Sequence, residues 1–418
     1  MNTDTKKMIL VSVLCGLGYM MYSVDRMTVS SAIGLISQDF GLGKGSSGIL
    51  LSSFFYGFIL FLFVSGIISD KLSGKPVLIL GLTLFSLATV FTGLAGSLTA
   101  LIFYRVMTGI GEGIFWPAAS LEVANVTSEK QRTTVMSLYW MGYPIGGFFG
   151  TWLGAVLGPV YGWRMVFYVA GGLGIVVAIL YAVLVKTEPK SAGTAANAGV
   201  VKEKVPLSLL FSTPSVVMMA LYYFLLLCGW WIVLLWAPTF LMNAKQMPMS
   251  MAGTIASLLG LTGALGGFLL GRYCDKGNFS RKRWILIGIT VASGLLMASL
   301  IIQLPIAAVV VLVMLLGFIG YPITPLVLSF TSELVPAAIR GAAIGFVMNI
   351  GMIAGGISPV LAGYLSDRYD MPVVWFFAAC LMALSSLLLL KVNKIEAGAD
   401  NAAEQPASEA VSARKHLV

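Results

Sequence analysis

The sequence predicts an all-α membrane protein of twelve transmembrane helices, built as two pseudo-symmetric six-helix bundles, on three observations. Apolar residues make up 58% of the 418 positions and charged residues only 10%, against roughly 25% in soluble domains, too few to cover a water-facing shell. The apolar residues fall in long blocks, and stretches of about 18 or more with few charges read as bilayer spans. The two halves of the chain also repeat each other. Gly109, Pro117 and Arg132 recur 208 positions later as Gly317, Pro325 and Arg340, and Gly66 and Asp70 recur 205 positions later as Gly271 and Asp275. Anchors at nearly one offset indicate an internal duplication.

The expected spans are residues 8–36, 46–69, 76–96, 99–124, 133–158, 164–186, 209–240, 249–272, 283–303, 306–331, 340–365 and 372–390. They form an N-terminal bundle (1–186) and a C-terminal bundle (209–393). Residues 187–208, rich in Pro, Gly, Ala and Lys, read as a central loop, and the polar tail 394–418 reads as disordered. With the N-terminus in the cytoplasm, twenty of the 26 Lys and Arg residues fall on the cytoplasmic side. Only Lys44, Arg164, Lys245 and Arg368 fall outside, while Arg26 and Arg105 lie within spans. This positive-inside bias places both termini in the cytoplasm. It also explains the net charge of +9 as topology, not nucleic-acid binding. The opening segment MNTDTKK runs straight into the first span with no small-residue cleavage site, so it reads as retained.

The residue inventory narrows the chemistry. The single histidine, His416, sits in the tail, and Cys15, Cys228, Cys274 and Cys380 are scattered without metal spacing. No Ser/His/Asp set or phosphate loop is present, so no enzyme, no metal site and no cofactor are expected. Short loops leave no signalling module for a receptor. The expectation is a multi-pass protein of the bacterial inner (plasma) membrane, present as a monomer.

Four ionisable residues stand inside spans: Asp25 and Arg26 in the first, Arg105 and Glu112 in the fourth. Each costs about 2.5–3.5 kcal/mol on insertion scales, so function is the default reading. Arg105 and Glu112 are two helical turns apart and share a face, about 10 Å apart along the axis. Asp25 and Arg26 point about 100° apart and cannot both face one partner. The alternative is that the carboxylates are only buried partners of the arginines, holding helices together. The repeat offsets set Trp230 and Trp231 against Asp25 and Arg26, and Gly320 against Glu112. One half is therefore ionisable, while the other presents aromatics with Asn349, Tyr321 and Thr324. Trp230 is a candidate for substrate contact, though such aromatics more often pack or belong to the interfacial belt, and Asn349, costly in mid-span unless bonded, is a further substrate-contact candidate. Tyr56 and Tyr143 are weaker candidates for substrate contact. Glu122, near a span end, reads as interfacial.

Two like-handed halves joined by a cytoplasmic loop resemble the major facilitator superfamily. The segment Gly66-Ile-Ile-Ser-Asp70-Lys71-Leu-Ser-Gly74-Lys75 is similar to that superfamily's loop signature, with Ser73 where a glycine is usual, and Gly271-Arg-Tyr-Cys-Asp275-Lys276 repeats its opening. The resemblance implies a gating role for Asp70, Lys71 and Asp275; topology anchoring by Lys71 and Lys75 is the plainer alternative. Asp25-Arg26, Arg105-x-x-x-Gly109-x-x-Glu112 and Trp236-Ala-Pro238-Thr-Phe240-Leu241 resemble the anion:cation symporter family, which includes bacterial sugar-acid transporters and, in animals, sialin. That resemblance implies a substrate carboxylate on Arg26, proton exchange at Asp25 and Glu112, and tuning of Glu112 by Arg105. The expected function is proton-coupled symport of a small organic anion, taken up by alternating access, with the proton gradient as coupling source. The competing reading is a proton/drug or metabolite antiporter. Gly142-Tyr-Pro144-Ile-Gly146-Gly147 only partly matches the antiporter motif, and intramembrane arginines disfavour cationic cargo. The pocket aromatics Trp140, Tyr143, Trp230 and Trp231 point to an aromatic or compact apolar acid.

Overall fold

The computed structural model describes residues 3–68, 74–185, 207–275 and 278–395. Asp70, Lys71, most of the central loop and nearly all of the tail lie outside them, as does the side chain of Asp275. The described chain is helical throughout, because in a bilayer each backbone N–H and C=O must be satisfied within its own segment. The first half comprises α1 (Thr3–Phe40), α2 (Lys44–Ile68), α3 (Lys75–Leu94), α4 (Leu98–Asn125), α5 (Glu129–Tyr161) and α6 (Trp163–Leu184). A short α7 (Leu207–Phe211) precedes the second half: α8 (Pro214–Lys245), α9 (Met249–Asp275), α10 (Phe279–Ser299), α11 (Ile306–Gly320), α12 (Ile323–Leu334), α13 (Arg340–Arg368) and α14 (Met371–Leu389).

Among the described residues, eleven segments are long and apolar enough to cross a membrane, with 306–334 counted as one. The 33-residue α5 is the twelfth crossing. Its apolar signal is diluted by a polar first turn and by glycines that serve packing. A Cβ on Gly142, Gly146 or Gly150 would lie within 2.6 Å of an α1 carbonyl oxygen, so this stripe lets α1 and α5 touch backbone to backbone. Tight turns close the face opposite the N-terminus. Gly41 (φ 63°) joins α1 to α2 and Gly162 (φ 81°) joins α5 to α6, both in the left-handed region that favours glycine. Ser97 accepts from the Ala100 N–H to start α4, and Asn278 accepts from the Arg281 N–H to start α10.

The duplication is visible in the packing. The pairs α1–α5, α2–α4 and α3–α6 recur as α8–α13, α9–α11 and α10–α14. The anchors do the same work twice. A Cβ on Gly109 would meet Phe54 O at 1.9 Å, and one on Gly317 would meet Leu259 O at 2.4 Å.

One expected span differs from its outcome. The apolar run 306–331 reads as a single helix, but the chain breaks at Tyr321–Pro322 into α11 and α12. Pro322 has no N–H to donate, and its ring collides with the carbonyl four residues back. The break lies at the cavity described below.

The halves meet along two seams, α5 against α9 and α2 against α13. Both are tight in the part away from the N-terminal face. A Cβ on Gly48 would lie 2.4 Å from Pro359 O, one on Gly363 2.3 Å from Lys44 O, and one on Gly253 2.2 Å from the Ala155 Cβ. Asp367 at the end of α13 accepts from the backbone N–H groups of Lys44 (2.9 Å) and Gly45 (2.8 Å), the first residues of α2. Near the centre, Ser30 Oγ donates to Leu235 O at 2.8 Å and joins α1 to α8.

Candidate functional site

A cavity of about 650 Å³ lies between the halves. Arg26, Tyr22 and Tyr19 of α1, Trp140 and Tyr143 of α5, Trp230 and Trp231 of α8, and Tyr321 and Thr324 at the α11–α12 break line it. It continues past Thr134, near the start of α5, and Leu328, toward the end of α12. It therefore runs toward the face that carries the N-terminus, away from the closed parts of the seams.

The four intramembrane charges form two crossed pairs between α1 and α4. Arg26 Nε donates to Glu112 Oε2 at 2.6 Å, and Arg105 Nη1 donates to Asp25 Oδ2 at 2.7 Å. All four side chains are at most 3% exposed. Neighbours in sequence diverge to different partners because adjacent helical residues point about 100° apart. Thr89 Oγ1 donates to Asp25 Oδ1, and Arg26 Nη2 donates to the Tyr22 hydroxyl. The Arg26 guanidinium lies 4.0 Å from the Tyr22 ring centroid, 4.4 Å from Phe54 and 4.8 Å from Phe58, an aromatic cage suited to a desolvated cation. Glu112 Oε1 and Arg105 Nε are buried with no hydrogen-bond partner among the described residues.

Of these charges only Arg26 lines the cavity; Asp25, Arg105 and Glu112 lie behind it. Arg105 bonds Asp25, so any influence on Glu112 acts through space and not through a bond. In the second half the charged contact is replaced. Gly320, at the place of Glu112, is a notch for the Trp230 ring, where a Cβ would come within 2.3 Å of ring atoms. Trp230 meets Tyr321 edge to face at 5.4 Å, and Tyr321 meets Tyr143 of the other half at 6.2 Å.

Two candidates lie elsewhere. Tyr56 is 46% exposed on α2, and its hydroxyl donates to Gly356 O at 3.1 Å across the α2–α13 seam. It does not line the cavity, which corrects the expectation of substrate contact in this conformation. Asn349 turns back on its own helix, donating to Gly345 O at 2.8 Å, while Met348 and Met352 line the cavity beside it. The gating candidates Asp70, Lys71 and the Asp275 side chain fall outside the described residues. Sequence reasoning missed Tyr22 and Thr89. Tyr22 stands one turn before Arg26 on α1, a readable signal; Thr89 reaches Asp25 from α3, and nothing in its local sequence marks it.

The model of the Major Facilitator Superfamily matches residues 15–359 and again 278–418. The chain belongs to the Major Facilitator Superfamily. Membership makes it a membrane transporter and not an enzyme. It is 29% identical over 415 residues to a probable sulfoacetate transporter of Cupriavidus necator, covering 94% of each chain. A hexuronate transporter of Bacillus subtilis is 26% identical, covering 92% of this chain and 95% of its own. A 3-(3-hydroxy-phenyl)propionate transporter of Escherichia coli is 27% identical, covering 87% and 88%. Among solved structures, the inward open xylose transporter from E. coli superposes with a TM-score of 0.76 at 16% identity, covering 93% of this chain and 97% of that one. The last likeness concerns the superfamily fold alone.

Proposed function

We propose that this superfamily member is a proton-coupled symporter that takes up a small organic anion across the plasma membrane by alternating access, acting as a monomer. The observation that supports it most is the Arg26–Glu112 pair at the cavity wall. An ionised Glu112 neutralises Arg26. A proton on Glu112 removes that competition and frees the guanidinium for a substrate carboxylate, which offers matching two-oxygen geometry. Proton and anion then bind together or not at all, which is the requirement for symport. Related anion transporters, among them those of sulfoacetate and hexuronate, favour the same cargo class.

The positive-inside bias assigns the N-terminal face to the cytoplasm. On that assignment the cavity is open inward and sealed outward, the state in which anion and proton leave. The return is a rocking of the two halves about the central site.

Proteoliposomes with a pH dye inside test this reading. Adding the anion outside should acidify the lumen, Arg26→Ala should abolish the signal, and a lipophilic cation should leave it unchanged. Anion entry that follows membrane potential with no proton movement would mean uniport. Lumen alkalinisation by cations would mean drug antiport.

A further inference from the structure

Resting on that reading, we infer that the substrate is an aryl monocarboxylate, its carboxylate on Arg26 and its ring in the slot formed by Tyr143, Trp230 and Tyr321. Charge sets the first part. Among the described residues lining the cavity, Arg26 is the one charged side chain, so the site neutralises one negative charge. A second carboxylate would be buried without a counter-ion, which is costly in an apolar site.

The walls set the second part. Trp230 and Tyr321 stand edge to face, with an interplanar angle of 89°, and Tyr143 closes the slot from the other half at 60° to Tyr321. These rings are held in place. Gly320 receives Trp230 and Gly263 receives Tyr321, each so closely that a Cβ would come within 2.3 Å of ring atoms. The three rings contact one another, so the slot is the cavity space they border, where a flat aromatic body sets its positive edge on one ring's face and its own face on another ring's edge.

The polar inventory disfavours the hydroxylated alternative. Among the described lining residues there is no Asn, Gln, Asp, Glu, Lys or His. The polar groups besides Arg26 are hydroxyls and indoles, those of Tyr19, Tyr143 and Tyr321 among them, while Tyr22 is engaged by Arg26 and Tyr223 donates to Thr324 Oγ1 at 3.2 Å. A sugar acid would bring several hydroxyls to a wall without an amide, carboxylate or amine to pair them.

The test is equilibrium binding to the full-length purified chain at pH 6 with 3-phenylpropionate, cyclohexanepropionate, galacturonate, sulfoacetate, phthalate and a lipophilic cation. The expected result is 3-phenylpropionate binding about ten-fold tighter than any other probe, a difference of roughly 1.4 kcal/mol. Tyr321→Leu and, as a milder change, Tyr321→Phe should lower the preference for phenylpropionate over sulfoacetate, with Leu doing so more. Arg26→Ala should remove all carboxylate binding. Galacturonate, sulfoacetate or phthalate binding as tightly as phenylpropionate overturns the aryl monocarboxylate and leaves carboxylate symport standing. Equal binding of cyclohexanepropionate overturns the aromatic slot alone. Binding of the cation only, or carboxylate binding indifferent to Arg26, overturns the transport reading and this inference with it.

Discussion

Arg26 and Glu112, on α1 and α4, meet at 2.6 Å, and the arginine is the member of the pair that reaches the cavity. The carboxylate stands behind it, holding through one oxygen while Oε1 has no partner among the described residues. In the symport proposed above, substrate and Glu112 compete for one guanidinium, and a proton on Glu112 decides the competition.

That competition has a measurable pH dependence. Raising the pH deprotonates Glu112, which reclaims Arg26, so carboxylate affinity should fall as pH rises. One linked proton limits the slope to about ten-fold per pH unit. In Glu112→Gln the side chain is always neutral, and the profile should be flat. The variant should also exchange labelled for unlabelled anion across the membrane yet fail to concentrate it against a gradient. Binding titrations from pH 5 to 8, with exchange and net-uptake assays in proteoliposomes, check both. A Gln variant that keeps the wild-type slope would remove Glu112 from the coupling.

Asp25 and Arg105 form the second crossed pair, neither of them lining the cavity, with Thr89 donating to Asp25. Removing one member of such a buried pair strands the other charge, at a cost of about 3–5 kcal/mol, whereas replacing both by apolar groups is close to neutral. Asp25→Ala should therefore lower the unfolding temperature sharply. Asp25→Ala combined with Arg105→Met should recover most of the loss. Thermal unfolding of both variants and of Arg105→Met completes the cycle. If the double variant is no better than the singles, the pair does not act as a unit.

How much of this was readable beforehand depends on what each residue's neighbours are. Twelve crossings and a duplicated architecture were legible, because apolar block length and the Gly109/Gly317 and Pro117/Pro325 repeats are local or fixed-offset signals. The divergence of Asp25 from Arg26 was legible from helical geometry. Which partner each would take was not, since that depends on how α1 crosses α4. Tyr56 failed for the same reason: a phenol in mid-span looks alike whether it faces a cavity or a seam, and only docking of α2 on α13 decides. The break at Tyr321–Pro322 left a sequence mark in its proline, but the apolar run over it reads as one span.

The repeated glycine contacts give opposite signs for one substitution. Gly109→Ala and Gly317→Ala put a methyl within 1.9 and 2.4 Å of a backbone oxygen on the neighbouring helix. Forcing the helices apart is expected to cost about 1–3 kcal/mol or more, so folded yield should drop. Gly172 on α6 has nothing within 4 Å of an added Cβ. There alanine should be neutral or stabilising by up to about 1 kcal/mol through helix propensity. Size-exclusion profiles of fluorescent fusions before and after heating separate the two outcomes. Equal behaviour of all three variants would mean that these close approaches do not hold the bundle.

On the inward-open assignment proposed above, Asp367 makes the outer seal depend on a charge. Its carboxylate caps the first turn of α2 from the opposite half, on the Lys44 and Gly45 N–H groups, and Lys44 Nζ donates to Ser366 O at 3.3 Å beside it. An anion at a helix N-terminus contributes about 0.3–1 kcal/mol at an exposed position. That energy is present only while α2 and α13 touch, so it favours the outward-closed state alone. Asp367→Ala should raise the outward-open population by up to about five-fold, the factor that 1 kcal/mol gives. Asp367→Asn should fall between, because an amide keeps an acceptor oxygen and loses the charge. Spin labels on Leu42 and Tyr369, in the turns flanking the seam, report the change as growth of a longer distance component. Raising salt in the unsubstituted chain should mimic a fraction of it, since exposed charges are screened. An unchanged distance distribution in Asp367→Ala would leave the seal to the glycine contacts at Gly48 and Gly363 alone.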